Sequence, residues 1–180
     1  MKLSFEDVYG EDGAATDLAV ATLYTHLEKR DSKANISHKE MPTLAQHTAF
    51  VNAKPHSHWW LVYDLNEETA EHLCIGQVYL TRQREIGIFV TEDYHRRGAG
   101  TEMVQKLMEL AQPRGPFFAN VAPANVESQK FFEALGFHIV QWTYRYDPVF
   151  FDEPLYPGHP AYESRKADSA EYEDKIPFGD

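Results

Sequence analysis

The residues with the clearest chemistry form one run, Tyr94-His95-Arg96-Arg97-Gly98-Ala99-Gly100-Thr101. An apolar strand pattern, Glu85 to Val90, precedes it, and a helix pattern, Glu102 to Gln112, follows it. A strand that turns into a helix leaves the helix's first backbone N–H groups without intrahelical partners. Those donors, with the positive end of the helix dipole, make an anion site. Gly98 and Gly100 carry no Cβ, so a phosphate can come close to the backbone. Arg96 and Arg97 add forked donors that suit phosphate oxygens. The run reads as a phosphate-binding turn, although Gly-rich turns of this kind also serve packing alone. It is not a dinucleotide fingerprint, which needs a third glycine and an acidic residue for the ribose, nor a P-loop, which needs Gly-Lys-Ser or Gly-Lys-Thr.

A second segment runs Phe117-Phe118-Ala119-Asn120-Val121-Ala122-Pro123-Ala124-Asn125, then Val126 to Leu135, then Gly136-Phe137. Phe117 to Val121 reads as a buried strand, and Asn125 as the N-cap of the helix after it. Phe131, Phe132 and Leu135 make that helix's apolar face. Gly136 sits where a helix-ending glycine belongs, with Phe137 opening the next strand.

Together the two segments resemble the GNAT superfamily of N-acetyltransferases, which use acetyl-CoA. The superfamily pattern is Gln or Arg, two residues, Gly, one residue, then Gly or Ala. His95-Arg96-Arg97-Gly98-Ala99-Gly100 matches it except at the first position, where His95 stands. The second signature, Asn and a short helix ending in an aromatic pair, Glu and Gly-Phe, appears as Asn125 and Phe131-Phe132-Glu133-Ala134-Leu135-Gly136-Phe137. The motif-bearing region is Glu85 to Trp142.

The resemblance implies an α/β GNAT fold, with a mixed central β-sheet flanked by helices on both faces. It implies acetyl-CoA as cosubstrate. No three histidines with a carboxylate stand at zinc-ligand spacing, so no metal is expected. Main-chain groups of Ile88, Phe89 and Val90 would pair with the pantetheine arm and polarise the thioester. His95, Arg96, Arg97, Gly98, Ala99, Gly100 and Thr101 would hold the pyrophosphate, and Asn125 would bond the pantetheine near the thioester. Phe132 stands where many members place a Tyr that protonates the leaving thiolate, and it cannot donate a proton. A thiol of reference pKa about 8.5 leaves tolerably near neutral pH, so the reaction can proceed without that acid. Tyr144 and Tyr146 are possible substitutes.

Acetyl transfer requires the amine to lose a proton. Glu85 lies near where some members carry a catalytic Glu; the alternative is an exposed strand-end charge. Asn120 matches a position that is Glu in others, and could orient the amine or a water. His56 and His58, before Trp59-Trp60, are the other proton acceptors near neutrality. The acceptor pocket would draw on Asn35 to Lys39, Trp59, Trp60, Tyr63 and Tyr79, although strand aromatics are more often core. The stretch from Ile36-Ser37-His38-Lys39 to Phe50-Val51 also looks like acetyltransferases that modify nucleotide-linked amino sugars. The implied function is transfer of acetyl to a primary amine on a small molecule, an amino sugar being a candidate. A protein N-acetyltransferase, or a non-catalytic acyl-CoA-binding or regulatory module, is the alternative.

The elements that must position these residues follow from pattern. Leu3 to Val8 is a strand, and Asp12 to Arg30 a helix with an apolar stripe through Leu18, Ala21, Leu23, Tyr24 and Leu27. Pro42 starts a short helix, as proline favours a first turn. His58 to Leu65 and Leu73 to Arg82 are strands joined by a polar turn, and Gln83-Arg84 is short enough to require a hairpin into Glu85 to Val90. The acetyltransferase domain is expected over 1–150, with Val149 to Phe151 the best candidate for a last strand. Residues 151–180 are an acidic tail whose Tyr156, Tyr162, Tyr172 and Phe178 could fix it to the body or to a neighbouring subunit.

Composition narrows the class. A chain of 180 residues supports one domain with a real core, and its net charge of −11 argues against nucleic acid as the main partner. Cys74 is the only cysteine, so no internal disulfide forms, which fits a reducing cytoplasm. Met1 to Glu6 does not read as a signal peptide, and no apolar run has the length of a membrane span. A homodimer is compatible with the pattern.

Overall fold

The computed structural model describes residues 1–30, 41–66, 71–111 and 115–143. The expectations for Asn35 to Lys39, Tyr144, Tyr146, Val149 to Phe151 and the tail lie outside these residues. The chain divides into two compact units, Met1–Ala122 and Pro123–Asp180.

The first unit runs β1 (Leu3–Asp7), α1 (Asp17–Glu28), α2 (Leu44–Asn52), β2 (His56–Asn66), β3 (Glu71–Thr81), β4 (Ile86–Val90) and α3 (Ala99–Leu110). The four strands form one antiparallel sheet in sequence order. An isolated parallel bridge, Glu85 to Phe118, adds the mixed character at the β4 edge.

Alternation assigns the two faces. Trp59 and Leu61 share a core with Ala19, Val20 and Leu23 of α1 and Val51 of α2, against which Tyr63, Cys74 and Tyr79 pack. Trp60, Val62, Val78 and Ile86 are buried on the other face. There α3 packs on β3 and β4 through Met103, Val104 and Leu107, all fully buried. Helices thus cover both faces of the sheet. Among the described residues no helix is long and apolar enough to cross a membrane.

Local chemistry moved several expected boundaries. α1 starts at Asp17 rather than Asp12, because the Asp12 carboxylate accepts from the Ala14 N–H (2.9 Å) and holds a turn. Thr16 then caps the helix, accepting from the Ala19 N–H (3.1 Å). Pro42 is not in the first turn of α2; Thr43 takes the N-cap in a capping box with Gln46, so the proline lies before it. α3 begins at Ala99, three positions before Glu102, since its first turn tolerates Gly100.

The expected buried strand Phe117 to Val121 shrinks to the single bridge at Phe118, which is 39% exposed. Arg84 organises its entry, donating to the Pro116 carbonyl (3.0 Å) and lying 4.2 Å from the Phe117 ring centroid. The ladder then stops at two bonds, Ile86 N–H to the Phe118 carbonyl (2.7 Å) and Phe118 N–H to the Arg84 carbonyl (2.9 Å).

In the second unit, α4 (Val126–Ala134) is capped by Asn125, whose side chain accepts from the Ser128 N–H (3.1 Å). It ends in a Schellman motif: Phe137 N–H bonds the Phe132 carbonyl (3.0 Å), Gly136 N–H bonds the Glu133 carbonyl (2.9 Å), and Gly136 has φ +89°. The Phe132 and Phe137 rings meet edge to face at 5.2 Å, the apolar contact this motif favours. No strand forms over Phe137 to Thr143, where Ile139, Val140 and Trp142 stay exposed.

Candidate active site

The site is organised by the edge of β4. Its register with β3 pairs Leu80 with Ile86, Tyr79 with Gly87, Val78 with Ile88, Gln77 with Phe89 and Gly76 with Val90. The bonds Thr81 N–H to the Glu85 carbonyl and Thr91 N–H to the Ile75 carbonyl fix the phase of the ladder. Main-chain groups of odd-numbered residues therefore face β3, and those of Ile86, Ile88 and Val90 face the other edge. Ile86 spends its N–H there on Phe118, and among the described residues no strand continues that ladder along Ile88 and Val90. Of the three residues expected to pair with a pantetheine arm, Phe89 is committed to β3, while Ile88 and Val90 lie on the open edge. This division follows from the strand's alternation.

That edge runs into the turn. A 3-10 turn at Glu92–Tyr94 leads to His95, Arg96, Arg97 and Gly98, all exposed, and then to α3. Arg96 and Gly98 both adopt left-handed backbone, φ +59° and +85°. For Arg96 this costs on the order of 1 kcal/mol or more, which the surrounding turn must impose. The first helical bond is from Glu102 N–H back to the Gly98 carbonyl (3.1 Å), so the N–H groups of Ala99, Gly100 and Thr101 have no intrahelical acceptor. A Cβ built on Gly98 meets no atom within 4 Å, so the space beside the turn at Gly98 is open. Unpaired donors at a helix N-terminus suit an anion.

Two side chains hold the turn to the sheet. Tyr94 donates its hydroxyl to Asp64 of β2 (3.0 Å), and Arg97 lies 5.4 Å from the Tyr94 ring centroid. Burial, then the Asp64 bond, raises the Tyr94 pKa, so it stays a phenol. His95, at the odd position of the motif, bonds through Nε2 to the Val90 carbonyl (2.9 Å). Its imidazole thus closes the turn and occupies one acceptor on the β4 edge.

At the other end of β4 stands Glu85. Its Oε1 accepts from the Asn120 amide (2.9 Å), and its backbone N–H donates to the Thr81 hydroxyl (3.0 Å). The two residues expected to handle the amine are brought together, and Asn120 serves the carboxylate directly. Thr81 was not foreseen, although the hairpin that pairs it with Glu85 was.

The aromatic set divides. Trp59 is buried, its indole N–H donating to Gln77 (2.8 Å), and Tyr79 crosses over Gly87, where an added Cβ would strike the ring. Trp60 lies on the opposite face, stacked edge to face with Phe5, and so leaves the expected acceptor set. Burial, with Cys74 and Glu6 beside it, pushes the Tyr63 pKa up to about 12, and burial also raises that of Cys74. Both shifts favour the protonated forms. His26 of α1 stacks on Phe89 at 4.8 Å, and burial, aided by Lys29, lowers its pKa to about 4. Phe132, in the second unit, is buried among Phe131 and Phe137.

The sequence profile of the Acetyltransferase (GNAT) family matches residues 21–137. No curated protein matches the chain. Among solved structures, a domain from Methanocaldococcus jannaschii DSM 2661 aligns with TM-score 0.62 at 17% identity, covering 78% of this chain and 90% of that one. The aminoglycoside antibiotic 6'-N-acetyltransferase AAC(6')-Ih from Acinetobacter baumannii aligns with TM-score 0.55 at 18% identity, covering 83% and 99%. AAC(6')-Iy, in complex with the bisubstrate analog CoA-S-monomethyl-acetylneamine, aligns with TM-score 0.54 at 15% identity, covering 83% and 100%. With a family profile spanning most of its length, the chain belongs to the GNAT family of acetyltransferases.

Proposed function

We propose that the chain transfers acetyl from acetyl-CoA to the primary amine of a small molecule, with an amino sugar the leading candidate. The observation that carries this is the open β4 edge at Ile88 and Val90, running into the cradle at Gly98 to Thr101. Acetyl-CoA supplies the activated acyl group; the chain's part is to bind, orient and move a proton. The turn holds the diphosphate with N–H donors, Arg96 and Arg97, and the strand edge offers main-chain donors to the acyl end. Holding amine and thioester together supplies several kcal/mol of the barrier reduction, on the order of 7 or more in favourable cases.

Glu85 takes the amine's proton, oriented by Asn120 and Thr81. Phe132 supplies no proton, and a thiolate of reference pKa about 8.5 leaves tolerably near neutral pH without one. For Asn125 and Phe132 the proposal rests on the family resemblance alone. The aminoglycoside acetyltransferases among the structural neighbours, by name amine acetylators, support an amine acceptor. A net charge of −11 suits attraction of a cationic acceptor, and a single cysteine suits a cytoplasmic setting.

A thiol-release assay with acetyl-CoA against amino sugars, polyamines, amino acids and peptides tests the proposal. Turnover with amino sugars or polyamines is the expected result. Phe132 favours a second reading, a CoA-binding module without turnover; CoA binding with no amine acetylated would establish it.

A further inference from the structure

β2 is irregular at two points, and the first register shift falls between His56 and His58. In an unbroken strand these two side chains would share a face. Ser57, the extra residue, separates them. His58 lies with Trp60 (ring centroids 5.7 Å apart), whereas His56 meets Trp59 (4.6 Å) and stacks on Tyr79 (4.0 Å, planes 16° apart). The Ser57 hydroxyl donates to the Leu80 carbonyl (2.9 Å) and holds the bulge. Bulges that re-aim a side chain recur beside active sites.

The face gained is the one Glu85 uses. His56 pairs in register with Thr81, and Thr81 bonds Glu85 through its main chain (2.9 Å) and its hydroxyl (3.0 Å). Imidazole, hydroxyl and carboxylate thus form one row across three strands. Two strand spacings, about 10 Å, separate its ends.

The imidazole is not there for packing alone. Its Nδ1 is buried without a hydrogen-bond partner among the described residues, beside Phe50, Trp59 and Tyr79. An unpartnered buried nitrogen opposes folding, and a phenylalanine would fill the slot without that cost. Burial lowers the His56 pKa to about 4, so the ring is neutral near pH 7. With Nδ1 walled in, Nε2 is the nitrogen left for a ligand.

We propose that His56 is a specificity-determining residue of the acceptor site, its Nε2 hydrogen-bonding a second polar group of an acceptor whose primary amine lies at Glu85. This rests on the function proposed above. The row selects polyfunctional amines, such as an amino sugar or a diamine, over a simple alkylamine.

The test compares glucosamine, putrescine and cyclohexylamine as acceptors for the wild-type chain, His56→Phe and His58→Phe, with melting temperatures recorded. The wild-type chain is expected to prefer glucosamine or putrescine. His56→Phe should lose about tenfold or more in kcat/KM for the preferred amine. It should keep its rate with cyclohexylamine and its KM for acetyl-CoA, and melt no lower than wild type. His58→Phe should change none of these. If His56→Phe fails to fold, His56→Gln is read in the same way. Wild-type preference in the His56 variant, or equal losses with all three amines alongside a lowered melting temperature, overturns the proposal alone. Absence of turnover by the wild-type chain with any amine overturns it together with the function it rests on.

Discussion

The phosphate cradle makes its sharpest prediction at Gly98. The residue has φ +85° at the N-cap of α3, and a Cβ there meets nothing within 4 Å. Gly98→Ala therefore adds no steric clash in the free protein. Its cost is the left-handed backbone alone, about 1 kcal/mol. For a chain of this size that lowers the melting temperature by roughly 2–4 °C. The new methyl enters the open space beside the turn in which the proposed cradle holds the diphosphate. CoA affinity should fall about tenfold or more, since each charge-assisted bond contributes about 1.5–3 kcal/mol and several are disturbed together. Gly98→Asn should melt closer to wild type, because asparagine tolerates this conformation, yet bind CoA as poorly. Calorimetric titration with CoA, and with S-acetyl-pantetheine as the ligand lacking a diphosphate, separates the effects. The pantetheine affinity should not change. A Gly98→Ala protein that melts lower but binds CoA like wild type would show that the glycine serves the turn's geometry only, and the cradle argument would fail.

Three further outcomes follow from the geometry. Glu85→Gln keeps an acceptor for Asn120 and removes the base, so kcat/KM should fall about 10²-fold or more with little change in melting temperature; an unchanged rate across the pH profile removes Glu85 from the chemistry. Gly76→Ala places a Cβ against the Phe89 carbonyl, a backbone atom, so β4 must shift. The expected destabilisation is about 1–3 kcal/mol by urea unfolding, with weakened CoA binding, and wild-type stability would contradict the close strand approach. Burial holds His26 and His56 near pKa 4 in the folded chain, below the ordinary 6.5, so the unfolded chain binds more protons between those values. Stability contributed by their neutrality is complete above pH 6.5 and lost as pH falls toward 4. His26→Phe should flatten that part of the melting-temperature profile, and a slope equal to wild type would refute the assignment.

What the sequence made legible was what depends on neighbours along the chain. The glycines and arginines of the turn announce a helix N-terminus, and Asn125 and Gly136 sit at the cap positions their types predict. Helix starts were missed where a side chain offers the backbone a competing bond. Asp12 takes the Ala14 N–H, and Thr43 rather than Pro42 opens α2. The expected strand from Phe117 is longer than the observed bridge because an apolar run carries no record of its partner. Here, among the described residues, Phe118 takes up the partner edge at Ile86 and the pairing goes no further.

The least legible features are the ones on which the site depends. Alternation along an unbroken β4 would not reveal that the main chain of Phe89 faces β3 while that of Ile88 and Val90 faces the other edge; that needs the phase set by Thr81 with Glu85 and Thr91 with Ile75. The shift at Ser57 is likewise a single inserted residue, invisible in composition and nearly so in periodicity. Its consequence is large, because a slip of one residue moves a side chain to the other face of the sheet. It separates two histidines that look equivalent in the sequence and carries His56 to the row that ends at Glu85. The anion cradle rests on residue types that sequence displays, whereas the acceptor face rests on register. Residue types alone therefore point to the cofactor more directly than to the amine, and the register across β2, β3 and β4 supplies what they lack.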